Sequence, residues 1–316
     1  MENVYVYTIK EDNTISLKRV YGNHPVLQIP STIDGMIVSE IGAYCFSLNN
    51  KLKGNECYTE SNLFGLSELC GNNIQSVVLP DGIIRIDSFA FYNCRKLKSI
   101  TFSDSIKEIG SDVFLNCSSL HDIYVSCSYQ KPTVLKYVLR QMSWDVEVHF
   151  LDEVTLLFPE YFEVYDVIGP AHVFGMNIEG EGYRCRQCFK NNCIQLEEYD
   201  SVFSKLSQEE SVSTSCRFAL NRLLYPKELN NELLYKSFIQ QHSLDASLIV
   251  LKKEIDVFNQ KSQLEKMIQN NYIDLDTMNV LIDYASKHEM VEILTYLIQW
   301  KKQYFIKKKT YDFEDF

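Results

Sequence analysis

The chain has 316 residues, of which 46% are hydrophobic and 23% are charged, a composition that is typical of globular proteins and excludes a disordered one. A chain of this length is long enough for two domains, or for one domain and a repeat array, with sizeable cores. Its net charge of −11 repels phosphate backbones and disfavours a general nucleic-acid-binding role.

The first residues, MENVYVYTIKED, lack the basic and apolar regions of a signal peptide. No uninterrupted apolar run approaches the roughly 20 residues that a membrane-spanning helix requires. The ten cysteines are expected to be reduced, because disulfide frameworks are typical of small secreted chains. These features predict a cytoplasmic protein without a membrane span.

The segment FAFYNCRKLKSITFSDSIKEIGSDVFLNC, residues 89–117, repeats its own apolar pattern after 23 residues. A less regular copy covers residues 29–46, and the polar residues 49–73 between the copies predict an irregular turn with an inserted loop. The shift of 23 residues aligns Ile74, Val77, Leu79, Ile83, Ile86, Ala90, Phe91 and Cys94 with Leu97, Ile100, Phe102, Ile106, Ile109, Val113, Phe114 and Cys117.

This repeat predicts a solenoid of short strands. Runs such as SVVLP and KSITF are typical of strands, and one coil cannot bury its apolar side until it stacks on its neighbours. We predict that Phe91 and Phe114 fill the shared core. Cys94 and Cys117 are predicted to be buried packing residues at tight turns.

These residues resemble the BspA-like leucine-rich repeat family, whose units read approximately I-G-x-x-A-F-x-x-C-x-x-L-x-x-I-x-L-P. Residues 86–125 match this pattern, and the opening residues resemble the cap that precedes such repeats, so the resemblance covers about residues 1–125. It implies a leucine-rich-repeat solenoid that acts as an interaction scaffold. Members of the family are often secreted, and the missing signal peptide departs from that.

Two elements after Val125 are predicted to close the solenoid, as a repeat array requires. KPTVLKYVLRQM has helical spacing with Pro132 near its start, and DVEVHF alternates like a strand. Residues 151–206 then read as strand-rich, broken by Pro159 and by Gly169-Pro170. Their pattern FPEYFE…GEGYRCRQCF…YDSVF resembles a module of cytoplasmic bacterial proteins that carry these repeats, which implies a bacterial or phage setting and no particular reaction.

Cys185, Cys188 and Cys193 form C-x₂-C-x₄-C, with His172 upstream. Zinc requires four ligands, and no second close pair follows. A redox pair would need a helix N-terminus to lower a thiol pKa, whereas GYRCRQCF alternates like a strand and predicts Cys185 and Cys188 on opposite faces. We predict structural thiols, with a metal- or redox-linked protein as the alternative.

No catalytic motif is recognisable in the sequence. The histidines are scattered, and each is predicted to be a surface or hydrogen-bonded residue without a catalytic partner. The sequence therefore predicts no catalytic, cofactor-binding or metal-binding residue, no cofactor and no enzyme. The histidines in question are His24, His121, His149, His242 and His288.

From about Ser215 the apolar period is helical. Pro226 is predicted to begin a helix, and Ser243 and Asp274 are predicted to cap two more. Residues 274–300 predict a helical hairpin, and residues 255–273 a related pair, which together resemble an ankyrin- or HEAT-like stack. The first helix has an apolar face of Leu229, Leu233, Leu234 and Phe238.

The end of the chain changes from a basic run, Lys301 to Lys309, to the acidic and aromatic YDFEDF. The run predicts a solvated last turn followed by a flexible tail, or alternatively a nucleic-acid-associated protein. The predicted domains are a solenoid with its cap (1–150), a mixed strand-rich module (151–212), helical hairpin repeats (213–306) and the tail (307–316).

The predicted fold class is α+β: a short leucine-rich-repeat solenoid, a mixed middle module and an all-helical stack. The predicted function is that of a non-enzymatic scaffold, an adaptor or inhibitor that binds a partner protein through its repeat surface. The sequence leaves open the identity of the partner, the face that binds it and the oligomeric state.

Overall fold

The computed structural model describes the chain except residues 1–2, 51, 61, 153, 169–172, 227, 254–255 and 306–316. Its contacts divide the chain into two units, Met1–Val202 and Phe203–Phe316. Strands dominate the first unit and helices the second. This confirms the predicted α+β class with an N-terminal solenoid.

The described residues of the first unit form short strands, two short helices and the beginning of a longer helix. The strands of the solenoid are β1 (Val4–Ile9), β2 (Ile15–Gly22), β3 (Val26–Gln28), β4 (Thr32–Ile33), β5 (Met36–Ile41), β6 (Cys57–Tyr58), β7 (Ser67–Glu68), β8 (Ser76–Val78), β9 (Arg85–Ile86), β10 (Ser99–Phe102), β11 (Glu108–Ile109), β12 (Asp122–Val125), β13 (Val146–Phe150) and β14 (Thr155–Phe158). The remaining elements are a 3₁₀ turn (Gly71–Asn73), α1 (Leu135–Leu139), β15 (Phe162–Ile168), β16 (Val173–Glu179), α2 (Gly182–Cys185), β17 (Phe189–Lys190) and β18 (Cys193–Ile194).

Two sheets run along the solenoid, and their register confirms the predicted repeat. A six-stranded sheet has the order β14-β13-β12-β10-β8-β3, and an eight-stranded sheet contains the path β11-β9-β5-β2-β1-β6. In the first sheet Ile100 is paired with Val77 on one side and with Ile123 on the other. In the second, Ile41 is paired with Ile86, so the irregular copy occupies the predicted coil. The inserted loop contributes β6 and β7, which pair with β1 and β2.

The core of the solenoid contains a stack of phenylalanine rings, as predicted. The Phe91 ring lies 4.8 Å from that of Phe46 and 5.4 Å from that of Phe114, nearly parallel to both. The buried thiols of Cys94 and Cys117 donate hydrogen bonds to the carbonyl oxygens of Phe46 and Phe91. These cysteines therefore satisfy backbone acceptors at the turns while packing in the core.

The helix and the strand predicted after Val125 are present as α1 and β13. Strand β13 pairs in parallel with β12 and adds one more parallel strand to the six-stranded sheet. Strand β14 then pairs with β13 in the antiparallel sense, so the parallel ladder of coils ends there.

The middle segment corrects two predictions. The stretch 182–188 is not a strand: α2 forms one helical turn, and the Cys188 N–H donates to the Cys185 carbonyl. Cys185 and Cys188 therefore lie on the same side of a turn, and both are buried, not on opposite faces. The part predicted to be strand-like also contains the helix α3 (Leu196–Glu209).

Arg186 connects the turns of this segment from a buried position. Its guanidinium donates to the carbonyl oxygens of Trp144, Pro159 and Gly182, and it lies over the ring of Tyr161. Gly182 allows the close approach of the chain, since a Cβ there would lie 1.9 Å from the Pro159 oxygen. One side chain thus provides donors for carbonyls from three separate stretches.

Helix α3 crosses the boundary between the units, and the second unit continues with paired helices. These are α4 (Val212–Leu224), α5 (Glu232–Gln241), α6 (Ser243–Lys252), α7 (Val257–Gln269), α8 (Leu275–Lys287) and α9 (Val291–Trp300), followed by a π-helical turn (Lys301–Phe305). Helix α4 packs on α5 and α6, α6 on α7 and α8, and α9 on α7 and α8. The predicted hairpin of α8 and α9 is confirmed.

Several predictions within the helical part were wrong. Residues 255–273 contain one described helix, α7, which pairs with α6 rather than forming a hairpin by itself. Pro226 follows the end of α4, where a proline stops a helix, and α5 begins only at Glu232. Ser243 is the first residue of α6 and makes no capping hydrogen bond.

The apolar face predicted for the helix after Pro226, which is α5, was also wrong. Leu233 is 83% exposed, and α5 buries Tyr235 and Ile239 instead. The Asp274 cap is confirmed, since its carboxylate accepts from the Thr277 N–H. Among the residues that the structure describes, no helix combines the length and apolar character that crossing a membrane requires.

Candidate binding surface

The outward side of the six-stranded sheet is the most regular surface of the solenoid. Val77, Ile100, Ile123 and Val148 face the core and are buried, so the residues on either side of each of them point outward. We call this outward side the ladder face. Its two rows, in register across five strands, are Val26, Ser76, Ser99, Asp122 and Glu147, and Gln28, Val78, Thr101, Tyr124 and His149.

The chemistry of the ladder face changes along its length. On β8 and β10 its side chains are small, and the hydroxyls of Ser76 and Ser99 lie 2.7 Å apart. On β12 and β13 they are aromatic or ionisable. Tyr124 is 43% exposed, whereas Glu147 is 7% exposed, so this end presents one accessible aromatic ring beside acidic groups.

A cluster forms where β12 and β13 meet. His149 Nε2 lies 3.0 Å from Asp122 Oδ1, and His149 Nδ1 lies 3.2 Å from Thr155 Oγ1. The potential ligand atoms of Asp122, Glu147 and His149 all lie within 4.8 Å of one another. We call these three residues the β12–β13 cluster.

Tyr124 borders this cluster. Its ring stacks on the His149 ring at 4.7 Å. Burial, and then the negative charges of Asp122 and Glu147, raise the pKa of its hydroxyl. The partial burial of the hydroxyl is the main cause of this shift, and the nearby negative charges add to it.

This cluster was not predicted from the sequence, although His149 is hydrogen-bonded, in line with the prediction that each histidine is a surface or hydrogen-bonded residue. The sequence feature that could have revealed the cluster is the alternation of DVEVHF. If this strand pairs in parallel with DIYV, as β13 does with β12, the outward residues of the two strands lie side by side. The other described histidines remain apart from it. His121 Nδ1 lies 2.8 Å from the Asp145 oxygen, His242 lies 3.9 Å from Asp245, and His288 stacks on Tyr284; His24 is exposed.

The three cysteines of the middle segment do not form a joint site. Cys185 and Cys188 are buried, and Cys193 is part of the hairpin of β17 and β18. In the described part of the chain, these three thiols are not among the groups that bring three potential metal-ligand atoms together. His172, the fourth residue considered, lies outside the described residues.

Burial also acts against a redox role for the pair. Desolvation raises the pKa of Cys188 to about 12 and that of Cys185 well above its usual value. A reactive thiol requires a lowered pKa, because the thiolate is the nucleophile. Cys185 and Cys188 therefore have the environment of packing residues.

This arrangement predicts selective thiol labelling. In the native protein, an alkylating reagent at neutral pH should modify Cys57 and Cys193, which are partly exposed, before the eight buried cysteines. Peptide mass spectrometry with and without denaturant measures the difference. Rapid labelling of Cys185 or Cys188 in the native state would contradict the assignment of these residues to the core.

A cleft of about 640 Å³ opens next to the ladder face. Gln28 and Val78 belong to both surfaces, and Pro30, Pro80 and Ser126 form other parts of its wall. Concave, partly apolar walls accommodate side chains of a ligand. The cleft thus adds a concave region beside the ladder face.

Comparison with known proteins places these features in a family context. Residues 27–138 match the model of the BspA type leucine rich repeat region, in six copies. None of the curated proteins compared with the chain matches it.

Three solved structures are similar to parts of the chain. A leucine rich cell surface protein from Faecalibacterium prausnitzii A2-165 is 27% identical over 40% of this chain and 31% of its own, with a TM-score of 0.28. A leucine-rich repeat protein from Bacteroides capillosus ATCC 29799 is 23% identical over 38% of this chain and 76% of its own, with a TM-score of 0.29. The T. pallidum leucine rich repeat protein is 20% identical over 37% of this chain and 67% of its own, with a TM-score of 0.23.

The chain spans less than a third of the length of the Faecalibacterium protein. With TM-scores this low, these similarities support no functional argument. The family match agrees with the register of the sheets and with the stacked phenylalanine rings. Residues 27–138 are thus similar to the leucine rich repeat region of the BspA type.

Proposed function

We propose that the chain is a non-enzymatic interaction scaffold, an adaptor or inhibitor, whose partner protein docks on the ladder face. Leucine-rich repeat proteins generally bind protein partners through extended surfaces built from successive repeats. The observation that carries the proposal is the accessible ring of Tyr124, which stands beside Asp122 in a face whose backbone register is regular. A fixed aromatic ring inside an extended surface is the usual form of a binding hot spot.

The charge of the ladder face defines the chemistry of the partner. Asp122 provides a carboxylate on a side chain that is 39% exposed, and Tyr124 provides an aromatic face. A partner segment with an exposed lysine or arginine would pair with a carboxylate and lie over the ring. We therefore propose a partner with a basic binding segment, in which the cleft beside Gln28 and Val78 receives a neighbouring side chain.

The geometry supports binding rather than catalysis at this surface. The contacts of Asp122, His149 and Thr155 follow the order of a hydrolytic triad. However, Thr155 is only 8% exposed, so its hydroxyl is not presented to a substrate. These contacts orient the His149 ring for packing against Tyr124.

Tyr124→Ala tests the surface, with Tyr137→Ala as the matched control. Both tyrosines are 43% exposed, but Tyr137 lies on α1, outside the ladder face. A tagged chain captures its partner from an extract of its native cells, and the affinity of the purified pair is then measured. Removal of a central aromatic contact is expected to cost about 2 kcal/mol, roughly a 30-fold loss of affinity.

Tyr137→Ala should leave the affinity within about twofold, because surface substitutions outside an interface have little effect. Equal affinities of the two variants would remove the ladder face from the proposal. A loss confined to Tyr137→Ala would move the interface to α1.

The remaining parts of the proposal concern the whole chain. We propose that the helical part, predicted as residues 213–306, recruits or blocks a second partner, and that the protein acts in the cytoplasm of a bacterium or a phage-infected cell. The ten cysteines are free and eight of them are buried, which suits a reducing compartment. The alternative nucleic-acid role depends on residues 301–309, of which Lys307, Lys308 and Lys309 lie outside the described part.

A further inference from the structure

We propose that the β12–β13 cluster is a binding site for a divalent transition-metal ion of the zinc type, held by Asp122, Glu147 and His149. The proposal rests on the geometry of the two strands and does not depend on the scaffold function. It adds a ligand-binding site to a surface for which neither the repeat pattern nor the family match implies one.

The strands place the three side chains around one point. Glu147 and His149 are two residues apart on β13 and therefore face the same side of the sheet. Asp122 on β12 is the register partner of Glu147. The ligand atoms lie within 4.8 Å of one another, and His149 Nε2 is 3.0 Å from Asp122 Oδ1. Nitrogen and oxygen ligands of a tetrahedral zinc ion lie roughly 3.3 Å apart, so a small adjustment accommodates the ion.

Electrostatics favours a cation at this point. Asp122 and Glu147 occupy directly opposed positions of neighbouring strands, so both carboxylates are close to the same point. Glu147 is 7% exposed, so solvent screens its charge less than that of a surface carboxylate. A divalent ion between the two carboxylates would be attracted by both of them.

The surroundings resemble the supporting groups of known metal sites. Metal-binding histidines usually use their second ring nitrogen in a hydrogen bond that fixes the ring. Here His149 Nδ1 lies 3.2 Å from Thr155 Oγ1, which leaves Nε2 directed at Asp122. The Tyr124 ring, stacked at 4.7 Å, restricts the imidazole further.

The donor set selects the type of ion. One imidazole nitrogen and two carboxylates suit Zn²⁺ or a similar first-row ion. Ca²⁺ requires six to eight oxygen ligands, and Mg²⁺ prefers an octahedral shell of oxygens. We expect the fourth position to be open, because the Asp122 side chain is 39% exposed, and a water molecule or a partner's side chain can complete the shell.

The test uses the full chain after treatment with a chelator, titrated with ZnCl₂ by calorimetry at neutral pH. We expect one Zn²⁺ per chain at the cluster, and Mg²⁺ in excess should not compete. His149→Asn and Asp122→Asn should each weaken binding by more than about tenfold. His121→Asn is the matched control, since His121 is adjacent to Asp122 in sequence but contacts Asp145, and its affinity should stay unchanged.

A spectroscopic measurement distinguishes metal binding at this cluster from metal binding by any of the ten cysteines. Co²⁺ bound by nitrogen and oxygen gives weak visible absorption, whereas a thiolate ligand adds intense charge-transfer absorption in the near ultraviolet. We expect the first spectrum for the wild type and its loss in Asp122→Asn. Because the Asp122 side chain is partly exposed, this variant is expected to keep the fold, which circular dichroism verifies.

Three results would each overturn the proposal. The first is the absence of Zn²⁺ binding to the wild-type chain. The second is an unchanged affinity in both folded variants, Asp122→Asn and His149→Asn. The third is thiolate charge-transfer absorption that accounts for all the bound Co²⁺, which would assign the ion to cysteines.

Discussion

Phe91→Ala is expected to lower the free energy of unfolding of the first unit by about 3–5 kcal/mol. Phe91 is fully buried, and its ring lies in the middle of the stack, between Phe46 at 4.8 Å and Phe114 at 5.4 Å. Its removal leaves a cavity that neither neighbour can fill without changing the spacing of the coils. The loss therefore combines transferred apolar area, a cavity and two ring contacts.

Urea denaturation followed by tryptophan fluorescence measures the change, because Trp144 lies in the first unit and donates its indole N–H to Leu120. Phe64→Ala is the control, since Phe64 is 92% exposed in the inserted loop, and its loss should change stability by less than about 0.5 kcal/mol. If the two variants unfold at the same urea concentration, the ring stack does not carry the stability assigned to it.

Arg186→Met is expected to destabilise the middle segment by at least about 3 kcal/mol. The methionine keeps much of the side-chain volume but removes the donors to the carbonyl oxygens of Trp144, Pro159 and Gly182. Each of these acceptors would lose a charge-assisted hydrogen bond in a buried region. The contact of the guanidinium with the Tyr161 ring would be lost as well.

The same denaturation experiment provides the comparison for Arg186. Arg140→Met removes an exposed arginine of the same unit and should have an effect within about 0.5 kcal/mol. Arg186→Lys should lie between the two, because an ammonium group cannot reproduce the planar fork of donors. A stability of Arg186→Met equal to that of the wild type would show that solvent replaces the lost donors, and that the segment is open to water.

The solenoid was predictable because its information is local and repeated. Ser76 and Ser99 are 23 residues apart in sequence, and their hydroxyls are in contact in the sheet. The period of the sequence pattern therefore identifies residues that are neighbours in space. Phe91 and Phe114 are also one period apart, and their rings stack as the alignment indicates. Where each coil repeats the previous one, tertiary contacts can be predicted from sequence.

The middle segment followed its sequence pattern less closely. Leu196, Tyr199, Val202, Phe203 and Leu206 have the spacing of a helix, but the aromatic and β-branched content of the region favoured strands. At GYRCRQCF, a single helical turn next to Gly182 was too short for its period to be distinguished from alternation. The conformation of this turn is stabilised by contacts between Arg186 and Pro159, which are far apart in sequence.

The β12–β13 cluster also depends on contacts that the repeat period does not predict. Asp122 and His149 were visible as ionisable residues, but their separation is not the repeat period, because α1 and its flanking turns replace part of a coil. Only the observed register of β12 and β13 brings them together. The cysteine pattern had a recognisable spacing, yet two of its three thiols, those of Cys185 and Cys188, are buried in the core, and Cys193 lies apart in a hairpin.

The constant register of the six-stranded sheet has a consequence for how such a chain can evolve. Duplication of a segment of one full period would add one strand, one ring to the stack of phenylalanines and one step to each outward row, while every existing side chain kept its direction. A segment of another length keeps the register only where turns absorb the difference, as between β12 and β13, where the register partners Asp122 and Glu147 are 25 residues apart. Growth by whole units needs no such adjustment, and outward residues can diversify in each new unit without altering the interior that holds it.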